Sequence, residues 1–169
     1  MSSADNRSSI DDLQLRPAVE ADLPRMREII ADSFDGVTAH QLIEQRYGEI
    51  GGRPWREWKA SEIDRSFQQQ PDSFVVAELG GAVVGVVSFH LDRQRLIGEI
   101  GNNGVDPRFQ GQGIGTRLYE RVLEIFRDSG MRFAQVTTGL GEEAARARRA
   151  YEKVGFTPVT TSVRYFREL

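Results

Sequence analysis

The chain has 169 residues, 39% of them hydrophobic, and 22 Lys and Arg against 25 Asp and Glu give a formal net charge of −3. This size supplies one domain with a core of its own, and the mild acidity argues against a broad nucleic-acid face, which needs clustered Lys and Arg. The absence of cysteine removes disulfides, thiolate metal sites and cysteine nucleophiles together, and two histidines, His40 and His90, do not make a usual zinc site, so no metal is expected.

The polar start, MSSADNRSSI, lacks the apolar stretch of a secretory signal. Residues 1–11 read as a disordered tail, and 12–169 as a single domain. The longest apolar run, Val83 to Phe89, is far too short to span a bilayer. A cytoplasmic protein without membrane or nucleic-acid partners is the expectation.

Along the chain, Leu13 to Arg16 alternates and predicts a first strand. Asp22 then reads as an N-cap with Pro24 in the first turn, and Leu23, Met26, Ile30 and Phe34 share a helix face that Gly36 ends. A second helix covers Thr38 to Tyr47. Pro54 opens a third, carrying Trp55, Trp58, Ile63 and Phe67, and Pro71 stops it. "SFVVAELGGAVVGVVSFHLD" is a hairpin about Gly80-Gly81. Leu96 to Val105 reads as a strand ending at Pro107. The period is helical from Gly113 to Asp128, with Ile114, Leu118, Val122, Ile125 and Phe126 on one face. Phe133 to Thr138 is a strand and Glu142 to Val154 a helix that Gly155 ends. Phe156 to Phe166 predicts one or two terminal strands. Val163 to Phe166 could pair across a homodimer, which an edge strand alone does not establish.

The least ordinary stretch is "IGEIGNNGVDPRFQGQGIGTRL", residues 97–118. A strand passing through glycines into a helix suits a phosphate. The first helical amides have no internal partner and lie at the positive end of the dipole, and glycines permit close approach. One glycine would serve a plain turn. Gly111, Gly113 and Gly115, with Gly104 upstream, favour a ligand. The segment contains no lysine for a P-loop, and its G-x-G-x-G spacing is not the dinucleotide fingerprint.

Gln110, Gly113 and Gly115 form Q-x-x-G-x-G. "VDPRFQGQGIGTRLYE" thereby resembles the acetyl-CoA signature of the GNAT superfamily of N-acetyltransferases, and "AYEKVGF", residues 150–156, is similar to its second signature. The element order matches from residue 13 onward. The resemblance implies an α/β (α+β) fold: a mixed, mostly antiparallel central sheet flanked by helices, with splayed central strands. It implies acetyl-CoA as co-substrate. Asn103, Gly104 and Val105 would form the rail for the pantetheine arm, with Gln110, Gly111, Gln112, Gly113, Ile114, Gly115 and Thr116 around the pyrophosphate. A backbone N–H near Asn103 or Val105 would face the thioester oxygen and stabilise its developing charge.

An alkylamine acceptor, with a pKa near ~10.4, must lose a proton before it attacks. Glu99 has the spacing of the strand glutamate that acts as base in histone-type members, directly or through a water. An exposed strand glutamate in a cross-strand pair is the other reading. Without a bulge, Glu99, Gly101, Asn103 and Val105 would share one face; a bulge near the glycines would break that parity. Tyr151 stands where the family often has its general-acid tyrosine, and a core tyrosine is the alternative. Ala144 departs from the asparagine that many relatives carry seven residues before that tyrosine. Asn102 and Asn103 are poor strand formers, which leaves open a ligand bond or a bulge with local side-chain bonds.

The acceptor, a small-molecule or peptide amine, would enter over the early helices, where Trp55 and Trp58 could wall it or simply pack. His40 and His90 read as structural. A non-catalytic acyl-CoA sensor and a transferase for longer acyl-CoA stay open beside direct acetyl transfer.

Overall fold

The structure is a computed structural model, described here for residues 10–169; most of the expected tail, residues 1–9, lies outside the described residues. Five strands form one sheet in chain order: β1 (Gln14–Pro17), β2 (Phe74–Leu79), β3 (Ala82–Asp92), β4 (Ile97–Val105) and β5 (Phe133–Val136). The pairs from β1 to β4 are antiparallel, and β4–β5 is parallel. The helices are α1 (Leu23–Ser33), α2 (Ala39–Tyr47), α3 (Trp55–Gln69), α4 (Ile114–Asp128) and α5 (Ala145–Lys153). This is the mixed, mostly antiparallel arrangement expected.

Local chemistry explains most boundaries. Gly80 and Gly81 have φ of +59° and +79°, the backbone of a two-residue hairpin whose twist suits the flanking strands. The Thr38 hydroxyl accepts from the His40 amide at 3.3 Å and caps α2. Asp22 precedes α1 but does not cap it with its side chain. Its carboxylate instead accepts from the Val19 amide at 2.8 Å and from Arg16 of β1 at 2.7 Å.

Each face of the sheet has a separate core. On one, α1 and α3 place Met26, Ile29, Ile30, Ile63 and Phe67 against Phe74, Val76 and Val86. On the other, Ile114, Leu118, Tyr119, Val122 and Phe126 of α4 join Tyr151 of α5 against Val87, Phe89 and Ile100. Each large apolar side chain so buried contributes roughly 1.5–3 kcal/mol relative to exposure. A Cβ on Gly98 would lie 2.4 Å from the Phe126 ring. That glycine is what lets α4 lie close on β4.

One expectation is overturned and one open alternative is decided. Phe156 to Phe166 form no strand: from Thr157 onward the chain is irregular and exposed. Alternating apolar residues need a ladder partner to become a strand, and none lies beside this segment. It runs to α2, where the Tyr47 ring meets Phe166 at 5.2 Å and the Tyr47 hydroxyl donates to the Phe166 carbonyl at 3.3 Å. The alternative decided is the parity of β4, which a bulge breaks. Asn103 pairs with Val87 but Ile100 with Phe89, so β4 takes three steps where β3 takes two, which is a bulge.

Candidate active site

The bulge sorts the side chains of β4. Ile100 packs in the α4 core and Gly98 faces Phe126, so Glu99 between them points to the opposite face. Beyond the bulge, Asn103 bonds to side chains of α4 and α5. Asn103 is therefore on the α4 face and Glu99 is not. The Glu99 carboxylate is half-buried and accepts from Gln135 Nε2 at 2.8 Å.

Pairing between β4 and β5 ends at Ile100↔Val136, whereas β4 continues beside β3 as far as Val105↔Gly85. The two strands splay there, as expected. A cleft of about 670 Å³ opens at that point, with Gly101, Asn103, Gly104 and Val105 on one wall and Thr137, Thr138 and Gly139 on the other. The volume suits a small-molecule ligand.

One end of the cleft is the turn into α4. Gly111 and Gly113 have φ of +80° and +82°, with nothing within 4 Å of a Cβ at either. Only a residue without a Cβ takes this backbone at little cost. The first α4 bond runs from the Arg117 amide to the Gly113 carbonyl at 3.1 Å, so the amides of Ile114, Gly115 and Thr116 have no acceptor within the helix. The Ile114 side chain is core, so its amide alone is offered to the cleft. Gln112 is exposed and does not line the cleft. Gln110 is a strut: its Nε2 donates to the Val105 carbonyl at 3.0 Å, and its Oε1 accepts from Arg146.

Gly104 has a packing reason of its own. A Cβ there would sit 2.3 Å from Ser33 Oγ of α1, so close approach of that helix accounts for the glycine. Asp106, which follows β4, fixes the turn ahead of the loop. It is 3% exposed, accepts from the Arg108 amide at 2.9 Å and Arg108 Nη2 at 2.7 Å, and pairs with Arg25 of α1. The Arg108 hydrogen bond, outweighing desolvation, holds its carboxyl down at about 2.

At the splay stands a cluster that sequence reasoning found only in part. Tyr119 Oη donates to Asn103 Oδ1 at 2.7 Å, and Asn103 Nδ2 donates to Tyr151 Oη at 3.0 Å. The two rings are 4.9 Å apart. Burial pushes both phenols up in pKa, Tyr119 further through its proximity to Tyr151. Both therefore stay protonated at neutral pH. Tyr151 Oη also donates to Asn103 Oδ1, at 3.3 Å, the longer of the two bonds to that oxygen, and Tyr151 lines the cleft. Tyr119 escaped the sequence reading because its partners lie in β4 and α5. Arg146 and Arg149, which line the cleft beside Glu142 and Glu143, escaped for a similar reason.

Trp55 and Trp58 do not line the cleft. Trp55 is buried, while Trp58 donates to the Ile50 carbonyl at 2.8 Å and lies under Arg53. His40 bonds Glu62 at 2.8 Å, and His90 sits 3.4 Å from the Gln70 side-chain oxygen. Among the described residues no helix is long and apolar enough to cross a membrane, and no group of three or more His, Cys, Asp or Glu is arranged to hold a metal ion.

A splayed pair of strands ending on a glycine turn at a helix N-terminus defines a class, and the family comparison agrees: the model of the acetyltransferase (GNAT) family matches residues 24–156. The chain belongs to that family. It is 34% identical over 120 residues to the N-alpha-acetyltransferase RimI of Mycobacterium tuberculosis, covering 70% of this chain and 71% of that one. It is 44% identical over 68 residues to a mycothiol acetyltransferase of Beutenbergia cavernae; that match covers 40% of this chain and spans only 22% of the relative's length. Its fold is similar to that of a GNAT family acetyltransferase from Brucella melitensis solved in complex with acetyl-CoA, with a TM-score of 0.61 and 22% identity over 86% of this chain and 83% of that one.

Proposed function

We propose that this chain is an acetyl-CoA-dependent N-acetyltransferase that passes an acetyl group directly to a primary amine of a small molecule or peptide. The observation that carries the reading is the cleft at the β4–β5 splay, closed at one end by the Gly111–Thr116 turn. The residues present fit a CoA thioester. The helix-start amides and open positive-φ glycines suit a pyrophosphate, Arg146 and Arg149 offer positive charge nearby, and the unpaired edge of β4 at Asn103 to Val105 suits an amide-bearing arm. When bound, acetyl-CoA supplies the activated acyl group and a thiolate leaving group.

The chain's own residues then divide the proton work. Tyr151, protonated and held by Asn103, donates toward the leaving sulfur. A backbone N–H on the free edge of β4 stabilises charge on the thioester oxygen. Glu99 takes the amine proton. It lies on the other face of the sheet and about 10–13 Å along the strand from Asn103 at ~3.3 Å per residue, so the proton reaches it through water. Amine and thioester would thus meet at the splay from opposite faces. Similarity to a protein named as an N-alpha-acetyltransferase supports an amine acceptor.

The test is thiol release from acetyl-CoA across a panel of amino acids, peptides, polyamines and aminoglycosides. Acceptor-dependent turnover is expected. Tight CoA binding without turnover on any amine would instead mark an acyl-CoA-binding domain.

A further inference from the structure

We infer that Lys59 of α3 is a positioning residue for acceptor recognition: its buried ammonium fixes the Phe34 ring at the α1 end of the cleft, where that ring meets the hydrocarbon beside the acceptor's amine. Resting on the transferase reading above, this narrows the acceptor to a primary amine with an apolar substituent rather than a polycation.

Lys59 is a buried charge that the proton chemistry does not use. It is 7% exposed, and a buried ammonium is costly unless paired. Glu62, one turn along α3, accepts its hydrogen bond at 2.7 Å and lies 2.8 Å from His40 Nε2 of α2. Burial raises the Glu62 carboxyl, yet the bonds from Lys59 and His40 outweigh it and hold the group below its ordinary value. The pair is therefore ionised at neutral pH. Stability alone does not account for such a pair, since apolar side chains of similar volume commonly replace one without loss.

A third partner gives the charge a role. Lys59 Nζ lies 4.0 Å from the centroid of the Phe34 ring, within cation–π range. Phe34 is the C-cap of α1, and the chain turns away at Gly36, whose φ is +81°. No further turn of α1 covers the ring, which is half-buried at the edge of the α1–α3 core. The ammonium attracts the electron-rich face of the ring and so favours one orientation of it. A methionine at the same place would fill the space without that preference.

Phe34 lines the cleft with Ser33 and Val37, whereas Lys59 does not. These three come from the end of α1 and the turn after it, across the sheet from α4 and Tyr151. The carboxylates that line the cleft, Glu142 and Glu143, belong to the turn before α5. Asp32 and Asp35, at the α1 end, are exposed and bonded to Arg56 at 3.0 and 3.1 Å. A polycation is held by several facing carboxylates; Phe34 and Val37 offer hydrocarbon instead. With Lys59 already on its electron-rich face, the ring is also a poor partner for a second cation.

The experiment is calorimetric titration of leucinamide, glycinamide and spermidine into the CoA-saturated full chain, with thiol release from acetyl-CoA measured alongside. The variants are Lys59→Met, Phe34→Leu, the two combined, and Glu62→Gln, each checked by thermal melting. The wild type is expected to bind leucinamide about tenfold more tightly than glycinamide, and spermidine no better than glycinamide. Lys59→Met should cut that preference to about threefold or less, raising the KM for leucinamide rather than lowering kcat and leaving CoA affinity as it was. It should have no further effect where Phe34 is already Leu. Glu62→Gln withdraws the anchor at constant volume and should act in the same direction, so it carries the comparison if Lys59→Met does not fold. A wild type without the preference or favouring spermidine, a folded Lys59→Met or Glu62→Gln variant that keeps the preference, or a loss that adds to that of Phe34→Leu would each overturn the inference. The expected binding preference with no turnover on any amine would overturn the transferase reading alone.

Discussion

Gly113→Glu separates the two reasons a glycine can stand at the start of α4. Gly113 holds φ at +82°, so any side chain there is strained, at about 1–2 kcal/mol. No atom lies within 4 Å of a Cβ at that position, so no clash adds to the strain and the fold should survive. Gly113→Ala carries the same strain without charge. The difference between the two variants therefore isolates electrostatics. A carboxylate about 6 Å from a pyrophosphate, at an effective dielectric of about 40, repels each unit of charge by about 1.4 kcal/mol. Two charges give about 3 kcal/mol, a hundredfold or more in affinity. Calorimetric titration with CoA should then show Gly113→Glu binding on the order of a hundredfold more weakly than Gly113→Ala, the gap narrowing as salt rises. Equal affinities of the folded variants would place the pyrophosphate elsewhere and remove the main argument for the cleft.

Three further outcomes follow from the same geometry. Tyr151→Phe should lower kcat while the KM for acetyl-CoA stays near wild type; Tyr119→Phe should do the same by roughly tenfold, because Asn103 loses the shorter of its two tyrosine bonds and with it a fixed position beside Tyr151, and an unchanged kcat would refute that ordering of the cluster. Glu99→Gln should slow turnover most near neutral pH, where amine deprotonation limits; a pH–rate profile parallel to wild type would sink the base assignment. The Arg108 hydrogen bond holds the Asp106 carboxyl down at about 2 in the fold, below the usual carboxylate range. A depressed carboxylate stabilises the fold fully above the unfolded value, and that stabilisation is lost as pH falls from about 4 through 2. The magnitude is about 2 kcal/mol. Urea melts of Asp106→Asn should show that loss at pH 6 and little of it near pH 2, whereas an equal loss at both would point to packing instead.

The residues that were readable share one property: their reasons are local. Gly80-Gly81, Gly111 and Gly113 are needed by the backbone conformation of their own turns. Gly98 and Gly104 look the same in sequence but exist because Phe126 and Ser33 press on the strand from other elements. Glu99 was legible as a carboxylate in a strand. Its face was not, because a bulge a few residues later changes which neighbours it shares.

Periodicity and turn chemistry by themselves determined five helices, the hairpin, the strand-to-helix passage and the Q-x-x-G-x-G loop, since each depends on residues within a few positions. Tertiary structure alone decided which strands splay, the meeting of Tyr119, Asn103 and Tyr151, and the fate of residues 157–169. A strand needs a partner as well as a pattern. The pattern lies in the chain, whereas the partner is supplied only when the rest of the molecule is in place.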